Sequence, residues 1–246
     1  MIREEDVVKK MVDELADSTK EILDRKESDA SSHKIVPAII TKGIDNVNLS
    51  MFDESTKKEI LDAVGEEYLK RGSMIDAIKA FMLTNNKPKL IEIGKHYESH
   101  SMFSSAIDAY RLANNNNELL RVGERCLQDG HTADAIKAFK LIDDKSKLIA
   151  VGEDCLKKHR YDFAIEVFAL FEDKSKLIQA GQHCMKEQQL GYAARAFELA
   201  QDKENLTKLG DLCLKEGLLG TALRLYQNAD NQMMVQFIRE NFPGKI

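Results

Sequence analysis

The sequence predicts an all-α fold: an α–α superhelix (solenoid) of about six helical hairpins, with additional helices at both ends. The first observation behind this prediction is composition. The 246-residue chain has only 3 prolines, 13 glycines and no tryptophan, while alanine, leucine, lysine and glutamate are frequent, which favours helix over strand. The second is a pattern of residues that recurs every 29 positions, and a fixed period of a few tens of residues is typical of repeat architectures.

A glycine sets the phase of the repeat, and positions within a repeat are counted as offsets from it. It recurs at six positions without insertion: Gly65, Gly94, Gly123, Gly152, Gly181 and Gly210. Offset +3 carries Tyr68, Tyr97, Cys126, Cys155, Cys184 and Cys213. Offset +12 is alanine in all six repeats, and offset +16 carries Phe81, Tyr110, Phe139, Phe168, Phe197 and Tyr226. Such agreement between columns predicts six copies of one structural unit.

Each repeat divides into two predicted helices. In the first, the apolar offsets −4, −1, +3 and +4 lie on one helical face. An Asn or Asp at offset −8 is placed to cap this helix in repeats 2 to 6, and Gly72, Gly130 and Gly217 at offset +7 suit a left-handed C-cap. In the second helix the alanine at +12 and the aromatic at +16 share a face. We expect the glycine and the alanine to lie opposite each other, with the aromatic filling the space toward the neighbouring repeat.

The ends of the chain depart from the repeat. The sequence divides into an N-terminal helical extension (1–52), six repeats (53–231) and a C-terminal capping helix (232–246). Apolar spacing predicts an amphipathic helix over about residues 3–25, followed by a loop. The segment "IVPAIITKGIDNVNL" predicts a short helix against the first repeat.

The repeat columns of residues 57–231 resemble the tetratricopeptide repeat in the small residues, the aromatic and the large apolar positions. Three features differ. The period is 29 rather than about 34 residues, leucine stands where that family prefers tryptophan, and the closing proline is absent. The short period is also similar to the helical-hairpin arrays of vesicle-coat and intraflagellar-transport subunits. These resemblances imply an α-solenoid with a protein-binding role.

Charge and hydropathy exclude several classes of partner. The net charge is −5, from 41 acidic and 36 basic residues, so the basic footprint of a nucleic-acid-binding protein is missing. No apolar run reaches the roughly 20 residues of a membrane span. We therefore expect a cytoplasmic protein with reduced thiols, no nucleic-acid partner and no membrane insertion.

The chemistry-bearing residues do not combine into a catalytic or metal motif. GxxxxGK[ST], GxGxxG, GxSxG, HExxH and CxxC are all absent from the sequence, so we predict no catalytic residues, no cofactor and no metal. Equivalent cysteines on packed helices would lie about 8–10 Å apart, too far for a disulfide, and we interpret them as packing residues. His96 and His100 have a spacing that zinc can use, but no further ligand is firmly placed, and we interpret them as exposed.

The outer face of the first helices is the predicted binding surface, because in tetratricopeptide arrays this face lines the concave groove. This surface comprises offsets −2, +1, +2 and +5, of which +2 is the most variable. The candidate residues named on it lie at +2 and +1: Glu67, His96, Arg125, Asp154 and His183, with Lys95, Glu124 and Glu153. Acid–lysine spacing on the same helices predicts i, i+4 ion pairs: Glu66–Lys70, Glu153–Lys157 and Asp211–Lys215. The residues of a carboxylate clamp are not recognisable, and we predict no preference for acidic C-terminal tails.

A lysine column at offset −7 adds Lys145, Lys174 and Lys203 to the candidate residues. Cations at a helix N-terminus oppose the helix dipole, so local stability does not explain them. Two interpretations are open: a solubilising edge, or a basic ridge that docks an acidic partner.

The function predicted from these features is a non-enzymatic scaffold or adaptor that holds a partner peptide or helix along its groove. The alternative is a structural subunit of a coat- or transport-like assembly that uses edge-to-edge contacts. An idealised array without a partner and a metal-binding helper are further alternatives.

Overall fold

The computed structural model describes residues 35–242 and confirms the predicted all-α fold over that range. The described residues contain no strand. Helix α1 spans 35–42 and precedes a short 3-10 helix, Ile44–Asn46. The amphipathic helix predicted over 3–25 and the loop after it lie outside the described residues.

The repeats form consecutive helical hairpins, in which the two helices of each pair pack against each other, as the contact of the first-helix glycine with the second-helix ring also shows in all six repeats. The first helices are α2 (Glu54–Lys70), α4 (Lys87–Ser99), α6 (Asn116–Gln128), α8 (Lys145–Lys157), α10 (Lys174–Lys186) and α12 (Lys203–Lys215). The second helices are α3 (Met74–Leu83), α5 (Phe103–Leu112), α7 (Thr132–Leu141), α9 (Tyr161–Leu170), α11 (Leu190–Ala200) and α13 (Leu219–Asn228). Helix α14 (Gln232–Asn241) follows the last hairpin, where the sequence predicts a capping helix.

The chain divides into two compact units, Met1–Glu118 and Leu119–Ile246. In the first, Val36 and Ile39 of α1 share a core with Ile60 and Phe81 of repeat 1, so the segment after residue 34 packs against the first repeat as predicted. In the second, Val235 and Ile238 of α14 lie in a core with the residues of the last two repeats. Helix α14 therefore covers the apolar surface that repeat 6 leaves.

Side-chain caps begin the first helices where the sequence predicts them. The Oδ1 atom of each offset −8 residue accepts a hydrogen bond from the N–H group three residues later. These bonds are Asn86–Lys89 at 3.2 Å, Asn115–Glu118 at 3.1 Å, Asp144–Lys147 at 3.0 Å, Asp173–Lys176 at 3.0 Å and Asp202–Asn205 at 3.1 Å. Repeat 1 has Lys57 in this column, and its first helix is capped instead by Asp53, four residues earlier.

Both turns of the repeat contain a residue in the left-handed conformation. At offset +7 the glycines predicted as C-caps have φ of 75–83°, and Ser101, His159 and Gln188 adopt φ of 58° at the same offset. At offset +20 the conformation recurs at Asn85, Asn114, Asp143, Glu172, Gln201 and Asp230. A non-glycine residue accepts this conformation at a cost of roughly 1–2 kcal/mol. The packing of the hairpin therefore imposes the turn even where glycine is missing.

The glycine at offset 0 contacts the aromatic ring at offset +16 of its own repeat, which corrects the predicted pairing of glycine with alanine. A Cβ atom added to Gly94 would lie 2.4 Å from Tyr110, and one added to Gly181 would lie 2.5 Å from Phe197. In the other four repeats the distance to the ring is 2.6–2.8 Å. The ring thus fills space inside its own hairpin, and it also reaches the next repeat, since Lys176 of repeat 5 lies over the Phe168 ring of repeat 4. The alanine at +12 is buried in every repeat.

A matched pair of glycine substitutions in repeat 5 tests this contact. Gly181→Ala overpacks a buried ring at a cost of about 1–3 kcal/mol, while its gain in helix propensity is only about 1 kcal/mol. We expect a net loss of up to about 2 kcal/mol in the free energy of unfolding, measured by urea denaturation. Gly191→Ala lies in α11 with open space around it and should leave stability unchanged or slightly raised. Equal behaviour of the two variants would contradict the contact.

Candidate functional site

The outward face of the first helices is accessible at offsets +1 and +2, where the sequence predicts the binding surface. In α8, Leu148, Val151 and Cys155 are buried, whereas Glu153 and Asp154 are exposed. The buried residues belong to the apolar offsets −4, −1 and +3, which face the hairpin partner. The offsets +1 and +2 therefore lie on the side from which a partner can approach.

The acids at offset +1 form ion pairs between repeats, and this corrects the predicted pairs within one helix. Where the following repeat carries a lysine at offset −5, its ammonium group reaches back to the acid. In the second unit Lys147 Nζ lies 2.7 Å from Glu124 Oε1, and Lys176 Nζ lies 2.6 Å from Glu153 Oε1. Neighbouring first helices are close enough for this contact, so Glu153 bonds to Lys176 and not to Lys157.

The same ladder of pairs occurs in the first unit. Lys89 Nζ lies 2.6 Å from Glu66 Oε1, which replaces the predicted Glu66–Lys70 pair. The next pair has the opposite polarity, with Lys95 at offset +1 and Glu118 at offset −5, 3.6 Å apart. Candidate residue Lys95 is therefore one member of the ladder.

The ladder ends in the second unit after repeat 5. The corresponding positions there hold the neutral residues Gln182 and Asn205. In repeat 6, Asp211 accepts a hydrogen bond of 2.7 Å from the hydroxyl of Tyr226, which replaces its predicted pairing with Lys215. The acids at offset +1 thus have partners inside the molecule.

Hydrogen bonds within the ladder shift the pKa values of its members. The bond from Lys176 holds the pKa of Glu153 below its usual value, and the bond to Glu124 raises the pKa of Lys147. Both shifts favour the charged forms. Exposed ion pairs contribute only about 0–1 kcal/mol each, so the ladder makes a small contribution to stability.

Three candidate residues at offset +2 form ion pairs four residues along their own helix. The pairs are Glu67–Arg71 at 2.9 Å, Arg125–Asp129 at 3.6 Å and Asp154–Lys158 at 2.7 Å. The exposed ring of His96 packs against that of His100, with 4.5 Å between centroids, and His100 Nδ1 lies 2.9 Å from the His96 carbonyl oxygen. These side chains remain on the surface, as the sequence predicts.

His183 occupies a different environment from the other offset +2 residues. It is half-buried, and its Nδ1 atom is buried without a hydrogen-bond partner among the described residues. Its ring centroid lies 5.8 Å from those of both His159 and Tyr161, and His159 Nδ1 lies 2.6 Å from the Tyr161 hydroxyl oxygen. His183 therefore packs within a cluster of rings between repeats 4 and 5.

A cleft between α6 and α8 is the feature of this surface that sequence reasoning missed. Its volume is about 390 Å³, and its lining includes apolar atoms of Leu127, Val151 and Cys155. The wall also includes Ala150 at offset −2, where repeats 2, 3, 5 and 6 carry Glu92, Arg121, Gln179 and Lys208. Repeat 1 also carries alanine here, at Ala63, so the short side chain at this offset is a signal of open space that the cleft at Ala150 shares with repeat 1.

Charged residues surround the apolar lining of the cleft. The pairs Glu124–Lys147 and Asp154–Lys158 border it, so two of the predicted candidate residues lie at the cleft. Arg160 also lines it, and its Nη1 atom donates to Thr132 Oγ1 at 2.5 Å. A guanidinium has five N–H donors, so Arg160 retains donors for a ligand.

The lysines at offset −7 are the first residues of the helices α8, α10 and α12, at the opposite end from the offset +5 residues. Lys145, Lys174 and Lys203 are exposed. Lys174 Nζ donates to Gln201 Oε1 at 3.4 Å, and Lys203 forms an ion pair with Asp230. Acidic residues at offset +20 stand among these lysines, so this edge carries mixed charge.

The four cysteines occupy packing positions, as predicted. All are buried and free, and burial raises the pKa of Cys184 from 9.0 to about 11. A raised pKa disfavours the reactive thiolate. Across residues 35–242, no three His, Cys, Asp or Glu side chains are grouped to hold a metal ion, and no helix has the length and apolar character needed to cross a bilayer.

Comparison with known proteins gives no assignment. No protein family model matches this chain, and no curated protein matches it. The geometry of the first-helix face and its cleft is therefore the basis for a functional proposal.

Reversing one charge of the ladder tests the pairing between repeats. Glu153→Lys faces Lys176 with a like charge, and we expect a loss of about 0.5–1 kcal/mol in the free energy of unfolding. Adding Lys176→Glu should recover that loss, and high salt should reduce the difference. Glu166→Lys, on the exposed side of α9, is the matched control and should change little. If the second substitution brings no recovery, the ladder makes no energetic contribution.

Proposed function

We propose that this chain is a non-enzymatic adaptor that binds a peptide or helix of a partner protein along the outward face of its first helices. In this proposal the cleft between α6 and α8 receives an apolar side chain of the partner. The cleft is the observation that supports it most directly, because it is an apolar hollow of about 390 Å³ on an otherwise charged face.

The lining of the cleft suits an anchor residue. Binding pockets are mostly apolar with a few polar groups that fix orientation, and buried anchors supply most of the energy of a protein interface. Leu127, 38% exposed, provides the main apolar contact, and the buried Val151 forms part of the floor of the cleft. The remaining donors of Arg160 are available to a backbone carbonyl or carboxylate of the partner. The bordering acids are paired with lysines, so apolar contact dominates over net charge.

Two further observations support an adaptor over a catalyst. The repeat columns resemble the tetratricopeptide repeat, whose arrays bind proteins. The thiols that line the repeat are buried, with the pKa of Cys184 raised to about 11, a poor condition for a nucleophile. Free cysteines also fit a reducing compartment, and we propose the cytoplasm as the location.

A structural subunit that assembles by its edges is the alternative function. Leucines at the ends of the second helices favour it, because Leu141, Leu170 and Leu199 are exposed. The two functions use different surfaces of the chain, the first-helix face and the turns at the ends of the second helices. Substitutions on each surface therefore separate them.

Selection from a phage-displayed random peptide library tests the adaptor function. We expect the wild-type chain to select peptides with an apolar residue at a fixed position. A selected synthetic peptide, titrated by fluorescence anisotropy, should bind Ala150→Trp at least about tenfold more weakly, which corresponds to about 1.4 kcal/mol. The indole introduced at position 150 occupies the cleft and so excludes the apolar side chain of the peptide.

Glu166→Trp is the matched control, since it adds the same side chain to an exposed position of α9. It should bind the selected peptide with wild-type affinity. Enrichment of no peptide by the wild-type chain, or equal affinity of the selected peptide for Ala150→Trp, would contradict the proposal.

A further inference from the structure

Exposed leucines recur at offset +18, the last turn of the second helices. In the second unit these are Leu141, Leu170 and Leu199, with exposed fractions of 40%, 37% and 45%. Each stands four residues before one of the exposed lysines at offset −7 of the next repeat. Single exposed leucines need no explanation, but apolar residues at one fixed edge position form a patch, and patches mark interaction sites.

The turns that carry these residues lie side by side. Helix α9 contacts both α7 and α11, so the three second helices are neighbours in this unit. A groove of about 420 Å³ is lined by Glu172 and Lys174 of one turn and by Leu199 and Gln201 of the next. We define the turn edge as Leu141, Asp143 and Lys145 of the α7–α8 turn together with Leu170, Glu172 and Lys174 of the α9–α10 turn.

The charges of the turn edge have no ionic partners among the described residues. Lys174 bonds to the neutral Gln201, and Asp143, Lys145 and Glu172 form no side-chain ion pair within residues 35–242. The lysines of the first-helix ladder, by contrast, are all paired across repeats. The turn edge thus retains two acids and two lysines, with an acid two residues before each lysine.

We propose that a second copy of this chain docks on the turn edge to form a two-fold symmetric dimer. A two-fold axis between the two turns places the α7–α8 turn of one copy opposite the α9–α10 turn of the other. Lys145 then faces Glu172 of the second copy, and Asp143 faces its Lys174. Symmetry repeats both pairs, and Leu141 meets Leu170 of the second copy between them.

Self-complementarity favours a second copy over other occupants. An acidic peptide or an anionic membrane would meet Asp143 and Glu172 as well as the lysines, and like charges across an interface are unfavourable. A copy of the same edge in antiparallel orientation matches every charge with its opposite. This interaction is independent of the peptide cleft, which lies on the first-helix face.

Sedimentation velocity with charge-reversed variants tests the dimer. The wild-type chain should dimerise as its concentration rises into the high micromolar range, and more weakly in high salt. Lys145→Glu with Lys174→Glu makes the edge acidic and should give a monomer. Asp143→Lys with Glu172→Lys makes it basic and should also give a monomer. An equimolar mixture of the two variants should form a heterodimer, because their edges are complementary.

A matched control changes the same charges elsewhere. Lys157→Glu with Lys186→Glu alters exposed residues at the opposite ends of two first helices and should leave the dimer intact. Circular dichroism verifies that all variants keep their helicity. A wild-type chain that stays monomeric, reversals that leave the dimer unchanged, or a mixture that does not associate would overturn the proposal. Binding of a cleft-selected peptide by the monomeric variants reports separately on the adaptor function.

Discussion

The contact between a helical glycine and an aromatic ring sets the geometry on which the rest of the structure depends. The ring of the second helix lies against the backbone of the first, at a place where even a Cβ atom would be within 2.4–2.8 Å of it. Real Cβ atoms do not approach carbon this closely, so the site excludes every other residue type without rearrangement. Because the contact recurs in all six repeats, each hairpin has the same separation of its two helices.

This shared geometry gives most offsets a similar environment from copy to copy, with repeat 1 the exception at −8, where Asp53 caps the first helix instead. The N-cap at −8, the left-handed turns at +7 and +20 and the ladder between −5 and +1 follow from it, even where the residue types change. The Lys95–Glu118 pair demonstrates this, because it keeps the contact while exchanging the two charges. Departures from the common pattern then identify positions with other roles. Ala150 borders a cleft at an offset where four of the other five repeats place a long polar side chain, and His183 enters a cluster of rings.

The sequence predicted the helices, their caps and their buried faces, because each depends on residues a few positions apart. It did not predict the partner of each glycine, since the residue that faces Gly152 depends on how two helices cross. Helical spacing predicts that Glu153 pairs with Lys157, four residues later. Its partner is Lys176, 23 residues away, because the two neighbouring first helices lie close together. Residue spacing within one helix does not predict the cleft, because the cleft is a space between the two helices α6 and α8.

Deletion of one whole repeat tests most directly whether a single hairpin geometry underlies the chain. Removing residues 144–172 joins Asp143 to Asp173 and restores the native junction "DDKSKLI", and it brings Glu124 opposite Lys176, which preserves an acid–lysine pair. We predict that the shortened chain keeps its helicity per residue and unfolds cooperatively on heating, as followed by circular dichroism. Removing only the first helix, residues 144–158, should abolish cooperative unfolding. A whole-repeat deletion that behaves like the half-repeat deletion would contradict the account.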